Sequence, residues 1–184
     1  MHYLKIFHFI DEYKESYLEK IDKNVILIYR KYSKPTNIIE INKIKNYCKK
    51  RKIKFLIAND LKTACKLNLD GYYIPSFNKD FLHINRPYKR NFLIVGSAHN
   101  TIEIKIKEKQ KCKLIFLSPI FYVKKNLGFL GLNKFRLLSN TTKTNIIALG
   151  GINTKNFKKL ITTNCSGYAS ISMIKKKAQN KSGP

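Results

Sequence analysis

The sequence predicts a parallel β/α fold, and within that class a compact (β/α)8 TIM barrel with shortened fourth and last helices. Two observations lead there. Short β-rich runs alternate with polar or amphipathic segments of helical length, and runs such as Val25-Ile26-Leu27-Ile28 and Leu114-Ile115-Phe116-Leu117 are apolar at consecutive positions, as strands covered on both faces must be. Eight such units would close a barrel; an open doubly wound sheet is the alternative, because the fourth and last helices are poorly defined.

The expected strands, in order, are Ile6 to Ile10, Val25 to Tyr29, Lys54 to Ala58, Gly71 to Ile74, Phe92 to Val95, Leu114 to Leu117, Ile146 to Leu149 and Gly167 to Ser170. Between the second and third, Ile38, Ile41, Ile44 and Cys48 recur at roughly helical spacing after Pro35-Thr36, which gives a helix start and one buried face. The stretch from Ser76 to Asn91 has weak periodicity and Pro87 near its end, so it is expected to be a loop with at most a short helix. A second irregular stretch runs from Lys124 to Gly131, where Gly128 and Gly131 suit a mobile loop.

With 184 residues and 43% hydrophobic content, one core is the expectation: a single barrel over 1–177, followed by a frayed, disordered tail over 178–184. The chain is shorter than the roughly 250 residues typical of such barrels, so its loops must be short. A formal charge of +26 favours anionic ligands. Because the lysines are scattered over nearly every expected helix and no recognition motif accompanies them, a solvated basic surface is expected and no specific nucleic acid. Cys48, Cys65, Cys112 and Cys165 lie far apart without metal-ligand spacing, and their apolar neighbours suit reduced, buried thiols. Lys5, Asp11 and Glu12 interrupt the N-terminal apolar run, and no run reaches membrane-spanning length, so a soluble cytoplasmic protein is expected.

In parallel β/α folds the chemistry lies at the carboxyl ends of the strands. There the sequence places Arg30, Asn59-Asp60, Gly96-Ser97-Ala98-His99, Ser118-Pro119, Gly150-Gly151-Ile152-Asn153 and Ser170-Ile171-Ser172. Gly150-Gly151 lets backbone approach a ligand, and amides opening a following short helix supply donors to an anion. Ser170 and Ser172 recur one unit later, where barrels commonly complete a phosphate site. Arg30 is either a bidentate phosphate clamp or the partner of Asp60 in an ion pair. Asp60 is either a Mg²⁺ ligand or a helix cap. His99 is read as structural, since no carboxylate partner or nucleophile is assignable to it.

Across nearly the whole chain this arrangement resembles the thiamine phosphate synthase and TenI-like family of (β/α)8 barrels. The resemblance is carried by Ile57-Ala58-Asn59-Asp60, Asp70-Gly71-Tyr72-Tyr73-Ile74, Gly96-Ser97-Ala98-His99, Ala148-Leu149-Gly150-Gly151-Ile152 and Gly167-Tyr168-Ala169-Ser170-Ile171-Ser172, in order and spacing. It implies a synthase of thiamine biosynthesis that condenses hydroxymethylpyrimidine diphosphate with thiazole phosphate, with Mg²⁺ assisting. By the same resemblance Arg30 is the diphosphate-binding arginine, Asn59 and Asp60 are the diphosphate and magnesium positions, and Ser97 lies near the reacting pyrimidine. Gly150, Gly151, Ile171 and Ser172 would bind the thiazole phosphate.

The chain departs from the family pattern at several places. Tyr32 stands where a second cation is usual, and Leu61 where an arginine follows the Asn-Asp pair. The histidine-leucine-glycine-glutamine stretch reads Tyr73-Ile74-Pro75-Ser76, and the second magnesium aspartate is Asn78, which leaves Asp80 as a displaced ligand. The threonine-rich loop with its lysine reads Phe121-Tyr122-Val123-Lys124-Lys125, where Lys124 or Lys125 would serve. The alternatives to a divergent synthase are a TenI-like thiazole tautomerase and a non-catalytic barrel that binds a phosphorylated ligand. Oligomeric state is left open.

Overall fold

Burying both faces of an apolar strand requires neighbours on each side, and closing a sheet on itself supplies the inner one. In a computed structural model, which describes residues 4–32, 35–124 and 128–169, the chain does this with eight parallel strands. They are β1 (Lys5–Ile10), β2 (Val25–Tyr29), β3 (Lys54–Ala58), β4 (Gly71–Ile74), β5 (Leu93–Ala98), β6 (Leu114–Leu117), β7 (Asn145–Leu149) and β8 (Gly167–Ala169). Each pairs with its sequence neighbours, and β8 pairs with β1, so the barrel is closed and the open-sheet alternative is excluded.

Successive side chains alternate between two cores. Phe7, Phe9, Ile28, Tyr73, Val95 and Phe116 belong to the cluster inside the barrel, while Leu27, Phe55, Ile57, Ile115 and Leu117 pack outward with helix residues such as Ile41, Ile44, Ile104 and Phe135. Inside, Phe116 meets Phe7, Phe9 and Tyr73 edge-on, with ring centroids 4.8, 5.8 and 5.5 Å apart.

The outer layer consists of α1 (Glu15–Leu18), α2 (Ile38–Arg51), α3 (Leu61–Lys66), α4 (Thr101–Lys109), α5 (Gly131–Ser139) and a 3₁₀ segment, Phe157–Thr162. The helix expected after Pro35-Thr36 is α2. Asn37 caps it, its Oδ1 accepting from the amides of Ile39 and Glu40, and Lys49, Lys50 and Arg51 complement the dipole in its last turn. Asn100 caps α4 by accepting from Glu103 N, while Glu103 reaches back to accept from the amide of His99, a variant of the capping box.

Three expectations need correction. Strand β5 begins one residue later than the expected run and extends through Gly96, Ser97 and Ala98, which pair with Ile115, Phe116 and Leu117. Gly96 is small because the aliphatic stem of Lys107 crosses it: a Cβ there would lie 2.6 Å from Lys107 Cδ. Cys65 is exposed, on the polar side of the short α3, whereas Cys48, Cys112 and Cys165 are buried as expected. Finally, Ser76 to Asn91 is the loop expected, but it contains only turns, so not even a shortened fourth helix forms there. The space is filled by the stacked rings of Tyr88 and Phe92, 4.5 Å apart, and by the buried His83 against Tyr72. The expected last helix and the 178–184 tail lie outside the described residues, and among the described residues no helix is long and apolar enough to cross a membrane.

Phe116 is fully buried at the centre of the aromatic interior. Phe116→Ala is therefore expected to destabilise the fold by about 3–5 kcal/mol, read as a lower urea midpoint at unchanged m-value. A loss below about 1 kcal/mol would mean the interior is not packed as described.

Candidate functional site

The inner parity of the strands decides which side chains reach the mouth. Counting in twos from the interior residues Ile28, Tyr73 and Val95 leads to Arg30 just past β2, to Tyr73 itself at the top of β4, and to Ser97 in β5. The three converge. The Arg30 guanidinium lies over the Phe9 ring, 4.4 Å from its centroid, a cation–π contact that fixes it at the top of the barrel. Burial pushes the Tyr73 phenol upward in pKa, and the Ser97 hydroxyl and Arg30 guanidinium beside it pull the other way.

At the end of β3, Asn59 adopts a left-handed conformation (φ 57°), which turns the chain so that Asp60 can cap α3. Asp60 Oδ1 accepts from Thr63 N at 2.9 Å and Oδ2 accepts from Thr36 Oγ1 at 2.5 Å. Its carboxylate is thus spoken for by a helix cap and a threonine, not by Arg30. Partial burial opposes its charge, but the bonds from Thr36 and Thr63 outweigh it and hold the pKa below the usual value.

The loop after β4 reaches across the mouth. Asn78 Nδ2 donates to Asn59 Oδ1 at 2.8 Å, Ser76 Oγ lies 3.2 Å from His99 Nε2, and Phe77 meets Tyr32 edge-on at 5.4 Å. His99 Nδ1 is 2.8 Å from the Ser118 carbonyl, which only accepts, so Nδ1 is the donor. His99 therefore links the β4, β5 and β6 ends, in keeping with its structural reading. Asp80 is exposed, and its Oδ1 accepts from Leu82 N in a local turn.

Gly150 and Gly151 have positive φ (95° and 68°), but the close approach they permit is to protein. A Cβ on Gly150 would lie 2.6 Å from Pro119 Cβ, and one on Gly151 would lie 2.5 Å from the Tyr122 carbonyl oxygen. These glycines therefore also seat the loop after β6, which binds back through Ile120 N to Leu149 O and Phe121 N to Gly150 O. The amides of Lys155 and Asn156, ahead of the 3₁₀ segment, are taken by Asn153 Oδ1. Lys124 is exposed on the β6 loop; Lys125, Ser170, Ile171 and Ser172 lie outside the described residues.

Mg²⁺ takes hard oxygen ligands and usually keeps waters and substrate phosphate oxygens, needing only one or two carboxylates. With its bonds from Thr36 and Thr63 made, the Asp60 carboxylate still retains lone-pair capacity, so this single carboxylate fits that mode of binding. Among the described residues no group of three His, Cys, Asp or Glu side chains forms an all-protein metal cage.

Sequence reasoning missed Tyr73 as a mouth residue because it sits inside an apolar run; counting in twos from Gly71 along β4 would have found it. Lys107, which nothing in the sequence sets apart from the other lysines, is fully buried. A separate cleft of about 440 Å³ lies at the amino ends of β3 and β4, lined by Lys45, Lys49, Lys52, Lys54, Asp70 and Lys89 among others. It is at the opposite end from the converging residues and shares none of them.

Comparison with known proteins identifies the family and the fold. The family model described as thiamine monophosphate synthase matches residues 12–174. The chain is 29% identical over 169 residues to the thiamine-phosphate synthase of Pelagibacter ubique, covering 89% of this chain and 81% of that protein. It is 31% identical over 136 residues to the thiamine-phosphate synthase of Prochlorococcus marinus subsp. pastoris, covering 73% of this chain but only 38% of that longer protein. Among solved structures, thiamine phosphate pyrophosphorylase from Pyrococcus furiosus superposes with a TM-score of 0.72 at 19% identity over 98% of both chains, a likeness of fold.

Asp60→Ala is expected to cost about 1 kcal/mol of stability at pH 7 through loss of the α3 cap. Because the folded pKa is depressed, that contribution is complete above the unfolded value of about 4 and is lost as pH falls through the folded one. Urea denaturation of both proteins should show the gap closing in acid; a gap that persists unchanged at pH 2 would contradict the assignment.

Proposed function

Since the chain belongs to the thiamine monophosphate synthase family, we propose that it condenses hydroxymethylpyrimidine diphosphate with thiazole phosphate to give thiamine phosphate and diphosphate. The observation that carries this reading is the convergence at the mouth of a fixed guanidinium, Arg30, with Tyr73 and Ser97, beside the Asn59–Asn78 pair.

The chemistry asks for leaving-group stabilisation more than for a nucleophile on the protein. The bond between the pyrimidine methylene carbon and the diphosphate oxygen breaks, its electron pair leaving with diphosphate. The thiazole nitrogen then donates its lone pair to the methylene cation. Arg30, already held by Phe9, offers paired N–H donors to the diphosphate without having to be ordered during the reaction. In this reading the Asn59 amide is a second donor to the diphosphate, and Lys124, or Lys125 next to it in sequence, supplies a further cation. Ser97, anchored by its strand, positions the pyrimidine next to Tyr73. Backbone at Gly150 and Gly151, with Ile171 and Ser172, takes the thiazole phosphate.

Mg²⁺, when bound, would neutralise charge developing on the departing diphosphate. Asp60 is its protein ligand in this reading, and Asp80 is a second one reached through water or loop adjustment. A role in thiamine biosynthesis follows from the family, and the reading includes a cytoplasmic location and no nucleic-acid partner.

Purified full-length protein is expected to form thiamine phosphate from the two substrates when Mg²⁺ is present and to stop when it is chelated. Arg30→Met should lower kcat/KM by roughly 10- to 100-fold, the worth of a charge-assisted hydrogen bond. No product from well-folded protein at saturating substrates would overturn the synthase reading. A rise in melting temperature with thiazole phosphate in that case would point to the binding-only alternative.

A further inference from the structure

Lys107 is fully buried, yet no carboxylate neutralises it through a hydrogen bond. Its three donors go to neutral oxygens instead: the carbonyls of Pro75 at 2.9 Å and Asn78 at 2.7 Å, and Gln110 Oε1 at 2.8 Å. Gln110, also fully buried, extends the grip, because its Nε2 donates to Asp80 O at 2.6 Å and to Asn78 O at 3.3 Å. Its backbone carbonyl accepts from His83 Nε2 at 2.7 Å. The end of α4 thus holds the β4–β5 loop at residues 75, 78, 80 and 83. Burying an ammonium is costly unless its donors are satisfied, and burial pushes this one down to about 8 even though Cys112, Glu103 and Asp80 nearby pull it the other way. Such an arrangement persists only where the surrounding structure enforces it.

What the clasp holds is the part of the loop that reaches the mouth. Between the fastened residues, Ser76, Phe77 and Asn78 project onto His99, Tyr32 and Asn59, which come from three different strand ends. The loop has no helix to set its course and no strand partner of its own. Side-chain bonds to its carbonyls do that work, and Asn78, so held, donates to Asn59, next to the Asp60 cap.

We propose that Lys107 and Gln110 are positioning residues for the pyrimidine diphosphate half of the site, acting through the β4–β5 loop on Asn78 and Asn59. This rests on the synthase reading above. The prediction is selective: loosening the clasp weakens diphosphate binding and leaves the thiazole phosphate half, built on the β7 and β8 ends, unaltered.

The test uses Lys107→Met, which keeps the buried stem beside Gly96, and Gln110→Met, each in the full chain. The KM for the pyrimidine diphosphate should rise about tenfold or more, while the KM for thiazole phosphate stays within about twofold. Amide exchange should accelerate in peptides covering 76–84 and stay at the wild-type rate in β6. Unchanged KM and unchanged loop exchange in both variants would overturn the proposal. So would faster exchange throughout the barrel with equal loss toward both substrates, the signature of a merely structural lysine. If the wild-type protein makes no thiamine phosphate, the synthase reading fails on its own, and the exchange measurement alone decides whether the clasp holds the loop.

Discussion

In a closed parallel barrel, every strand residue must face either the interior or the helix layer, and the alternation allows no exceptions without a bulge. Here that rule fills the interior with Phe7, Phe9, Tyr73 and Phe116 in edge-to-face contact, and it continues upward into polar residues of the same parity. Arg30 and Ser97 reach the mouth because Ile28 and Val95 lie two positions below them. The aromatic floor also does chemistry-relevant work: the face of Phe9 receives the Arg30 guanidinium, so one packing arrangement both stabilises the barrel and orients a cation.

The mouth itself depends on segments that lack regular structure. A helix would normally cover the crossing from β4 to β5, and its absence leaves eighteen positions, 75–92, to be organised by other means. Aromatic stacking of Tyr88 on Phe92 fills the outer end, and buried side-chain bonds from Lys107 and Gln110 hold the inner end. Across the barrel, Gly150 and Gly151 allow the β6 loop to lie against the β7 end. Both arrangements trade regular hydrogen bonding for specific contacts, which is how a chain shorter than a typical barrel can still build a rim.

The strands were legible because their apolar runs are consecutive and bounded by polar residues, and α2 because its buried face repeats at helical spacing. Asp60 illustrates a limit. Its position after a strand fits both a cap and a metal ligand; the structure shows the cap, and the two roles remain compatible. Gly96 and the Gly150-Gly151 pair mark a second limit. A glycine signals close approach, but sequence does not say to what, and here the neighbours are Lys107, Pro119 and the Tyr122 carbonyl. Lys107 was hidden for a related reason: in a chain carrying 37 Lys and Arg residues, one buried lysine has no distinguishing local signal. Only the tertiary path of the β4–β5 loop identifies it.

Among the described residues, positive charge is found both at the mouth, on Arg30, and in the lysine-lined cleft at the amino ends of β3 and β4. The most direct measurement is a crystal structure with thiazole phosphate and a non-reactive pyrimidine diphosphate analogue bound together. The diphosphate is expected within hydrogen-bonding distance of the Arg30 and Asn59 side chains, with the thiazole phosphate against the backbone at Gly150 and Gly151. Diphosphate density in the lysine cleft with the mouth empty would contradict the assignment of the strand carboxyl ends as the site.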